Sequence, residues 1–258
     1  MARSVPACRA SSRNALNISI RASVPKLPPY PRLSDSPSHQ MATPYFQLRL
    51  DSVPSTQDRA LEELDAVPVV VMSAEQTAGR GRSGSEWITA DRALAVSLAL
   101  TWDHDDFRPL SLMAGVAAVR ATGETLLKWP NDLLVGETKV GGILVERHDT
   151  AAVVGLGLNL WWPQAPEGMG ALYGEDPGPE RHAEIGGLWA AELMRLIEEE
   201  GWPLEEYRRL CDTLGREVAW EPDGSGRAVD VADDGALLVE VEGEIRPIYS
   251  GEVRHLRG

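Results

Sequence analysis

Two lysines are the first residues in this chain that could do chemistry. From Met41 onward, Lys128 and Lys139 are the only lysines, although arginine is common there. They lie in segments 128–132 (Lys-Trp-Pro-Asn-Asp) and 139–146 (Lys-Val-Gly-Gly-Ile-Leu-Val-Glu), and the only asparagines of this region are Asn131 and Asn159. Residue types that persist against the composition of the chain are candidates for chemistry. The alternative is that a codon bias made lysine and asparagine rare and that the remaining ones lie in these motifs by chance.

A glycine-rich segment, 78–87 (Ala-Gly-Arg-Gly-Arg-Ser-Gly-Ser-Glu-Trp), is the next candidate. Its glycines free the backbone, while Arg80 and Arg82 can grip phosphate or carboxylate through paired hydrogen bonds. No Lys-Ser or Lys-Thr follows a glycine-rich turn, so no Walker sequence is present. We predict a loop gated by an anionic ligand, and the alternatives are a solvated loop or an Arg-Gly nucleic-acid tail.

Two further segments carry polar groups between apolar stretches. Segment 155–159 (Gly-Leu-Gly-Leu-Asn) lacks the third glycine and the helix of a dinucleotide fingerprint. It is typical of a buried strand whose glycines let a flat ring approach the backbone, with Asn159 as an orienting amide. Pro130 belongs at an edge or bulge, which would aim Asn131 and Asp132 into a cleft. An ordinary turn is the alternative there.

Composition excludes several classes of protein. A net charge of -14 over 258 residues argues against duplex nucleic acid as the main partner. No apolar stretch approaches the roughly twenty residues that span a bilayer, and Cys8 and Cys211 form no disulfide framework. We therefore expect a cytoplasmic protein. Residues 1–40 are basic and rich in Ser and Pro, and we expect them to be disordered. They are either a transit peptide or sequence upstream of a start at Met41, which we favour slightly.

Apolar periodicity predicts the elements that must position these motifs. The order of elements indicates an α+β fold, a mixed β-sheet flanked by helices, over a first domain 41–213. Short alternating strands follow and predict a small β-barrel over 214–258. Strands are predicted at 46–50, 67–74, 94–102, 126–135, 140–147, 151–160, 217–220, 226–231, 236–241 and 244–249, and helices at 56–64, 110–121, 185–200 and 204–214.

Taken together, these motifs resemble a known family. Segments 75–82, 128–132, 139–146 and 155–159 look like the four signatures of biotin protein ligases, in the family's order and spacing. Residues 50–52 and 55–57 resemble its N-terminal biotin-contacting segment, and 250–257 resembles the close of its SH3-like C-terminal domain. The resemblance runs from about residue 45 to the end of the chain. It implies a biotin/lipoate ligase-like catalytic domain followed by an SH3-like β-barrel.

The resemblance also implies a function. The reaction would be ATP-dependent ligation of biotin to a lysine of a biotin carboxyl carrier protein through biotinyl-5'-AMP, with Mg²⁺ accompanying ATP. The implied catalytic residues are Lys139, Arg82 and Asp132. Lys128 is implied for ATP binding, and the alternative is that it is a structural charge beside the triphosphate. The implied biotin-binding residues are Ser55, Thr56, Gln57, Gln76, Gly79, Arg80, Gly81, Arg82, Lys139 and Gly142. Those implied for ATP or the adenylate are Arg80, Arg82, Trp87, Lys128, Asn131, Lys139, Gly157 and Asn159.

Departures from the family pattern refine these expectations. Ser83 and Ser85 stand where many relatives carry arginine, and Gln57 stands where asparagine is common. Residues 1–40 cannot form a helix-turn-helix, so we expect a monofunctional ligase that binds neither DNA nor membrane. Its partner would be the biotin carrier domain of acetyl-CoA carboxylase or a related carboxylase, and a homodimer is left open. The alternatives are a lipoate or octanoate ligase of the same fold, a non-catalytic biotin or nucleotide sensor, and a transcriptional repressor.

Overall fold

The computed structural model describes residues 43–256 except Asp105, Glu200, Asp223, Ser250 and Glu252. The extension predicted over residues 1–40 lies outside the described residues. Two β-sheets and four α-helices make up the described part. None of these helices is long and apolar enough to cross a membrane.

A mixed seven-stranded sheet forms the centre of the catalytic region. Its strand order is β1-β2-β3-β7-β6-β5-β4, in which β1 and β2 are parallel and all other neighbours are antiparallel. The predicted mixed sheet is thereby confirmed. The strands are β1 Phe46–Val53, β2 Val69–Gln76, β3 Arg92–Thr101, β4 Leu126–Lys128, β5 Asp132–Val135, β6 Thr138–His148 and β7 Ala151–Trp161.

Helices cover both faces of this sheet, which explains its wholly apolar strands. Ala60 of α1 packs in a cluster with Val71, whereas Gly186 of α3 lies against Met72. Successive residues of a strand point to opposite faces, so the two helices pack on opposite sides. The Ser55 side chain caps α1 by accepting from the backbone N–H of Asp58. The helices are α1 Thr56–Glu63, α2 Arg108–Thr122, α3 Arg181–Glu198 and α4 Leu204–Leu210.

The single strand predicted over residues 126–135 is wrong. The chain reverses between β4 and β5, and Lys128 pairs with Asp132 across the resulting hairpin. Pro130 at the turn has no N–H for a strand ladder, and Trp129 instead bonds to groups far along the sequence. The turn therefore projects Asn131 and Asp132 from the end of the hairpin.

The C-terminal strands form an antiparallel sheet in the order β11-β10-β9-β8-β12. Because β11 and β12 lie at opposite edges, the described strands do not close into the predicted barrel, although the arrangement is compatible with an SH3-like fold. Strand β12 was not predicted, and α4 ends at Leu210 rather than 214, since the N–H of Asp212 turns away to bond the carbonyl of Leu127. The strands are β8 Glu217–Trp220, β9 Gly224–Val231, β10 Leu237–Val241, β11 Glu244–Ile248 and β12 Val253–His255.

Candidate active site

A cavity of about 680 Å³ lies where the glycine-rich loop, the β4–β5 hairpin and strands β3, β6 and β7 meet. Gly251 and Val253 of the C-terminal region also line it. The structure thus brings together most of the site residues predicted from the sequence. Those that line the cavity are Ser55, Thr56, Gln57, Gln76, Arg80, Gly81, Arg82, Trp87, Lys128, Asn131, Asp132, Lys139, Gly142 and Gly157.

One wall of the cavity is a chain of buried side-chain hydrogen bonds. Thr56 donates to Gln76 Oε1 from its backbone N–H at 2.8 Å and from its hydroxyl at 3.0 Å. The hydroxyls of Thr56 and Ser97 lie 2.8 Å apart. Ser97 was missed by the sequence reasoning, although it interrupts an otherwise apolar strand. These bonds join the start of α1, which presents Gln57, to the end of β2, which presents Gln76.

Gln57 lines the cavity and has a buried, unpaired acceptor. Its Nε2 donates to Glu146 Oε2 at 2.8 Å, which turns Oε1 the other way. That oxygen is buried without a hydrogen-bond partner and lies 3.0 Å from where a Cβ on Gly155 would stand. Leaving a buried acceptor unpaired costs about 1–3 kcal/mol. The position therefore suits a ligand that brings an N–H donor.

Asp132 holds both lysines at the opposite wall. Its Oδ1 lies 2.5 Å from Lys139 Nζ, and its Oδ2 lies 3.5 Å from Lys128 Nζ. Gly142 lies beside this pair, where a Cβ would stand 3.7 Å from Lys139 Nζ, an ordinary contact distance. One carboxylate faces two ammonium groups, so the cluster keeps a net positive charge. The two lysines therefore form one anion-binding unit with Asp132.

Arg82 reaches from the glycine-rich loop to the hairpin. Its Nη1 donates to Asn131 Oδ1 at 3.0 Å, and Asn131 is itself fixed by two hydrogen bonds with the backbone of Ile143. The partner of Arg82 is a neutral amide, so the guanidinium charge is not balanced there. Arg82 can accordingly exchange the amide for an anion in the cavity.

Arg80 is held differently, by two carboxylates. It donates to Asp58 through both Nη atoms, at 2.8 and 2.7 Å, and to Glu146 Oε2 at 3.2 Å. The hydrogen bonds from Arg80 lower the pKa of the Asp58 carboxyl, and those to Asp58 and Glu146 raise the pKa of the Arg80 guanidinium. Arg80 thus ties the loop to α1 and β6 instead of reaching into the cavity unpaired. Asp58 was missed, although it directly follows Gln57.

Trp87 lies against the backbone of β7. A Cβ on Gly157 would stand 2.7 Å from Trp87 Cζ2, so glycine at 157 admits the indole. The flat ring expected to approach this strand is therefore, in the structure, a side chain of the protein itself. Two predicted site residues do not line the cavity, Gly79 and Asn159. Asn159 is buried beneath the segment around Gly170, whose carbonyl accepts from its Nδ2 at 3.0 Å.

The C-terminal region anchors the hairpin that carries Asp132. The backbone N–H of Trp129 donates to Thr213 Oγ1 at 2.9 Å, and its indole N–H donates to the carbonyl of Gly235 at 3.0 Å. Thr213 Oγ1 also lies 3.1 Å from His255 Nε2. Burial, with the nearby charges of Arg216 and Lys128, lowers the pKa of His255 to about 4. None of these anchors is signalled by local sequence.

Metal-binding clusters are absent from the part of the chain that the structure describes, where no group of three or more His, Cys, Asp or Glu could hold an ion. Mg²⁺ prefers oxygen ligands and readily keeps water and substrate phosphates in its shell. The carboxylate oxygens of Glu86 and Asp132 line the cavity and are ligands of the kind that such an ion takes.

Comparison with known proteins assigns the chain to a family. Residues 50–159 match the biotin/lipoate A/B protein ligase family, and residues 213–256 match the biotin protein ligase C terminal domain. The chain is 32% identical over 234 residues to the biotin–[acetyl-CoA-carboxylase] ligase of Mycobacterium tuberculosis, a match covering 77% of this chain and 83% of that protein. It is 30% identical to the bifunctional ligase/repressor BirA of Escherichia coli, over 69% of this chain and 63% of BirA.

Solved structures agree with these matches. A biotin protein ligase from Aquifex aeolicus in complex with biotin and ATP is 28% identical, with a TM-score of 0.71 over 83% of this chain and 99% of that chain. The biotin acetyl coenzyme A carboxylase synthetase from Helicobacter pylori with bound biotinylated ATP is 25% identical, with a TM-score of 0.58 over 78% of this chain and 99% of that chain. Since sequence and fold agree over most of the described residues, the chain belongs to the biotin protein ligase family.

Proposed function

We propose that the protein joins biotin to a lysine of a biotin carrier domain in two steps, through biotinyl-5'-AMP and at the expense of ATP. The observation that carries this proposal is the cluster of Lys139, Asp132 and Lys128, with the unbalanced charge of Arg82 beside it. Such a cluster fits a reaction that brings a carboxylate to a phosphate. The relatives named as biotin ligases, and the Aquifex aeolicus structure with biotin and ATP, support biotin and ATP as the substrates.

In the first step the biotin carboxylate attacks the α-phosphorus of ATP. An oxygen–phosphorus bond forms, and the bond to the leaving pyrophosphate breaks. Two anions must approach each other, and fixed cations lower the cost of that approach. We assign this task to Lys139 and Arg82, with Lys128 adding charge. The unpaired Oε1 of Gln57 would accept an N–H of the ureido ring at the other wall.

In the second step the amine of the carrier lysine attacks the activated carbonyl carbon. An amide bond forms and AMP leaves with the bonding electrons. The attacking amine must be neutral, so a nearby carboxylate that orients it or takes its proton favours the step. Asp132 stands at the end of the hairpin, where it can serve an amine that enters the cavity. Its two contacts with lysine ammonium groups hold its carboxylate in place for that task.

The remaining partners follow from the same chemistry. We propose that Mg²⁺ enters with ATP and neutralises phosphate charge, and that the carrier domain belongs to acetyl-CoA carboxylase or a related carboxylase. The proposed catalytic domain spans 41–213 and the C-terminal domain 214–258. DNA binding forms no part of the proposal. Homodimer formation stays a prediction, and sedimentation velocity of the purified protein tests it.

Exchange of labelled pyrophosphate into ATP tests the first step and the choice of acid. The protein is incubated with MgATP and biotin, lipoate or octanoate in turn, with Lys139→Ala as the inactive control. We expect exchange that requires biotin and is lost in Lys139→Ala. Exchange with lipoate or octanoate alone would identify the rival ligase, and full activity of Lys139→Ala would refute the role given to that lysine.

A further inference from the structure

The two arginines of the glycine-rich loop are held by groups of different charge, and this difference points to a new role for Asp58. We propose that Asp58 is a specificity-determining residue, which keeps the loop closed over the cavity through Arg80 and thereby limits escape of the reactive adenylate. This inference rests on the proposed function, because it concerns the intermediate of that reaction. Asp58 itself does not line the cavity, so it acts as a positioning residue.

The contact between Asp58 and Arg80 is a paired one. Each carboxylate oxygen of Asp58 accepts from a different Nη atom of Arg80, at 2.7 and 2.8 Å. Paired guanidinium–carboxylate bonds fix orientation as well as distance. Asp58 is itself placed by the helix cap, since its N–H bonds to Ser55 Oγ at 3.3 Å. The loop is therefore tied to a helix whose start is fixed.

Glu146 extends this contact to the sheet. Its Oε2 accepts from Arg80 at 3.2 Å and from Gln57 Nε2 at 2.8 Å. The carboxylate that helps hold the loop is therefore also the one that fixes the amide group of Gln57 at the cavity wall. Glu146 therefore contributes both to the position of the loop and to the predicted contact with the ureido ring.

Backbone hydrogen bonds within the loop join its two sides, so the contacts that anchor Arg80 restrain the whole segment. The N–H of Trp87 donates to the carbonyl of Gly79 at 3.0 Å, and the N–H of Gly81 donates to the carbonyl of Ser85 at 2.7 Å. These bonds close the stem and the tip of the loop. Releasing Arg80 would accordingly free the segment that also carries Arg82.

The arginines divide two tasks. Arg82 has a neutral amide partner that it can exchange for phosphate, whereas Arg80 is committed to two carboxylates of the protein itself. Of the two arginines, only Arg82 can then bind the adenylate. Retention of the adenylate therefore depends on the position of the loop that carries Arg82. Arg80 and Asp58 are both partly exposed, at 39% and 53%. An exposed pair of this kind changes an equilibrium by about two- to fivefold.

The test uses Asp58→Asn, which keeps the shape of the side chain and removes its charge. Glu62→Gln is the matched control, because it removes one carboxylate from the same helix, where Glu62 pairs with Arg59 and not with Arg80. Adenylate formed from labelled biotin and MgATP is followed as it leaves the protein in rapid filtration without carrier. We expect escape to rise about two- to fivefold in Asp58→Asn, with more labelling of lysines on an added bystander protein, and no change in Glu62→Gln.

Two further measurements keep the result decisive. Asp58→Asn made in an Arg80→Gln background should add nothing, whereas an independent additional effect would overturn the role assigned to the pair. Hydrogen exchange of the amides of residues 79–86 should quicken in Asp58→Asn and not in Glu62→Gln, and equal exchange would overturn the proposal whatever the activity. A wild-type protein that forms no adenylate would instead refute the proposed function, so the two failures are distinguishable.

Discussion

Replacing Thr213 with valine tests whether the segment that leads into the C-terminal domain holds the catalytic hairpin in place. Thr213 is fully buried, and its hydroxyl accepts from the backbone N–H of Trp129 at 2.9 Å and lies 3.1 Å from His255 Nε2. Valine keeps the shape of the side chain and has no acceptor. The change therefore removes the hydrogen bonds with little change in packing volume.

The expected change in the free energy of unfolding follows from the backbone N–H of Trp129, which loses its acceptor. Trp129 is itself buried, so its N–H loses its partner without gaining water, which costs about 1–3 kcal/mol. We expect Thr213→Val to lower the free energy of unfolding by about 2–3 kcal/mol, since His255 also loses a partner. Thr213→Ser keeps the hydroxyl and loses one buried methyl, for about 1 kcal/mol.

Urea unfolding at neutral pH, followed by circular dichroism, measures both variants against wild type. The rate of adenylate formation is measured in parallel, because a displaced hairpin moves Asn131 and Asp132. We expect Thr213→Val to be slower than Thr213→Ser in this step as well as less stable. Equal stability and equal rate for the two variants would refute the reasoning.

Three other variants test separate contacts. Burial lowers the pKa of His255 to about 4 in the folded chain, so between pH 6.5 and 4 the unfolded chain binds a proton that the folded chain does not. The free energy of unfolding therefore decreases as the pH is lowered, by about 1–2 kcal/mol because His255 is only half-buried. His255→Gln should flatten this pH dependence in urea unfolding, and an unchanged dependence would contradict the cause. Gly157→Ala should displace Trp87, lower the free energy of unfolding by about 1–3 kcal/mol and raise KM for MgATP. Gly187→Ala is the control and should cause none of these effects, because a Cβ there would meet no atom within 4 Å. Arg82→Gly removes a charged hydrogen bond, so adenylate escape should rise about tenfold with labelling of bystander lysines, and label confined to the carrier would count against it.

The sequence predicts well those parts of the fold that depend on local pattern. The wholly apolar run that contains Val71 and Met72 predicts a strand buried on both faces, and helices do cover both faces of β2. Ser55 is recognised as a helix cap because its hydroxyl can serve the N–H of a residue three positions on. Short strands with Gly turns likewise predict the C-terminal sheet. In each case nearest neighbours along the chain decide the structure.

The failures concern contacts between residues far apart in sequence. The hairpin from Leu126 to Val135 reverses where Trp129 bonds Thr213 and Gly235, which lie more than eighty positions away. Strand β12 was missed because three residues with one buried side chain give no periodic signal. Asn159 follows the two glycines of β7 and was therefore predicted to reach the site. In the structure its side chain instead bonds the carbonyl of Gly170, in a segment that lies over it.

The candidate site divides in the same way. The motifs identified the lysines, the arginines and Asp132, and the structure gathers these side chains around one cavity. Which of them pair could not be predicted. The assignment of Arg80 to carboxylates, and of Arg82 to an amide, depends on Asp58, Glu146 and Asn131, which the fold brings from three different elements.

Transfer of biotin to a carrier domain tests the central claim most directly. The protein is incubated with biotin, MgATP and a biotin carrier domain, or with the same domain whose target lysine is replaced by arginine, and the intact masses are measured. We expect one biotinyl group on the target lysine, only when ATP is present, and none on the arginine form or with Lys139→Ala. A carrier that stays unmodified while adenylate accumulates, or label that persists on the arginine form, would contradict the account.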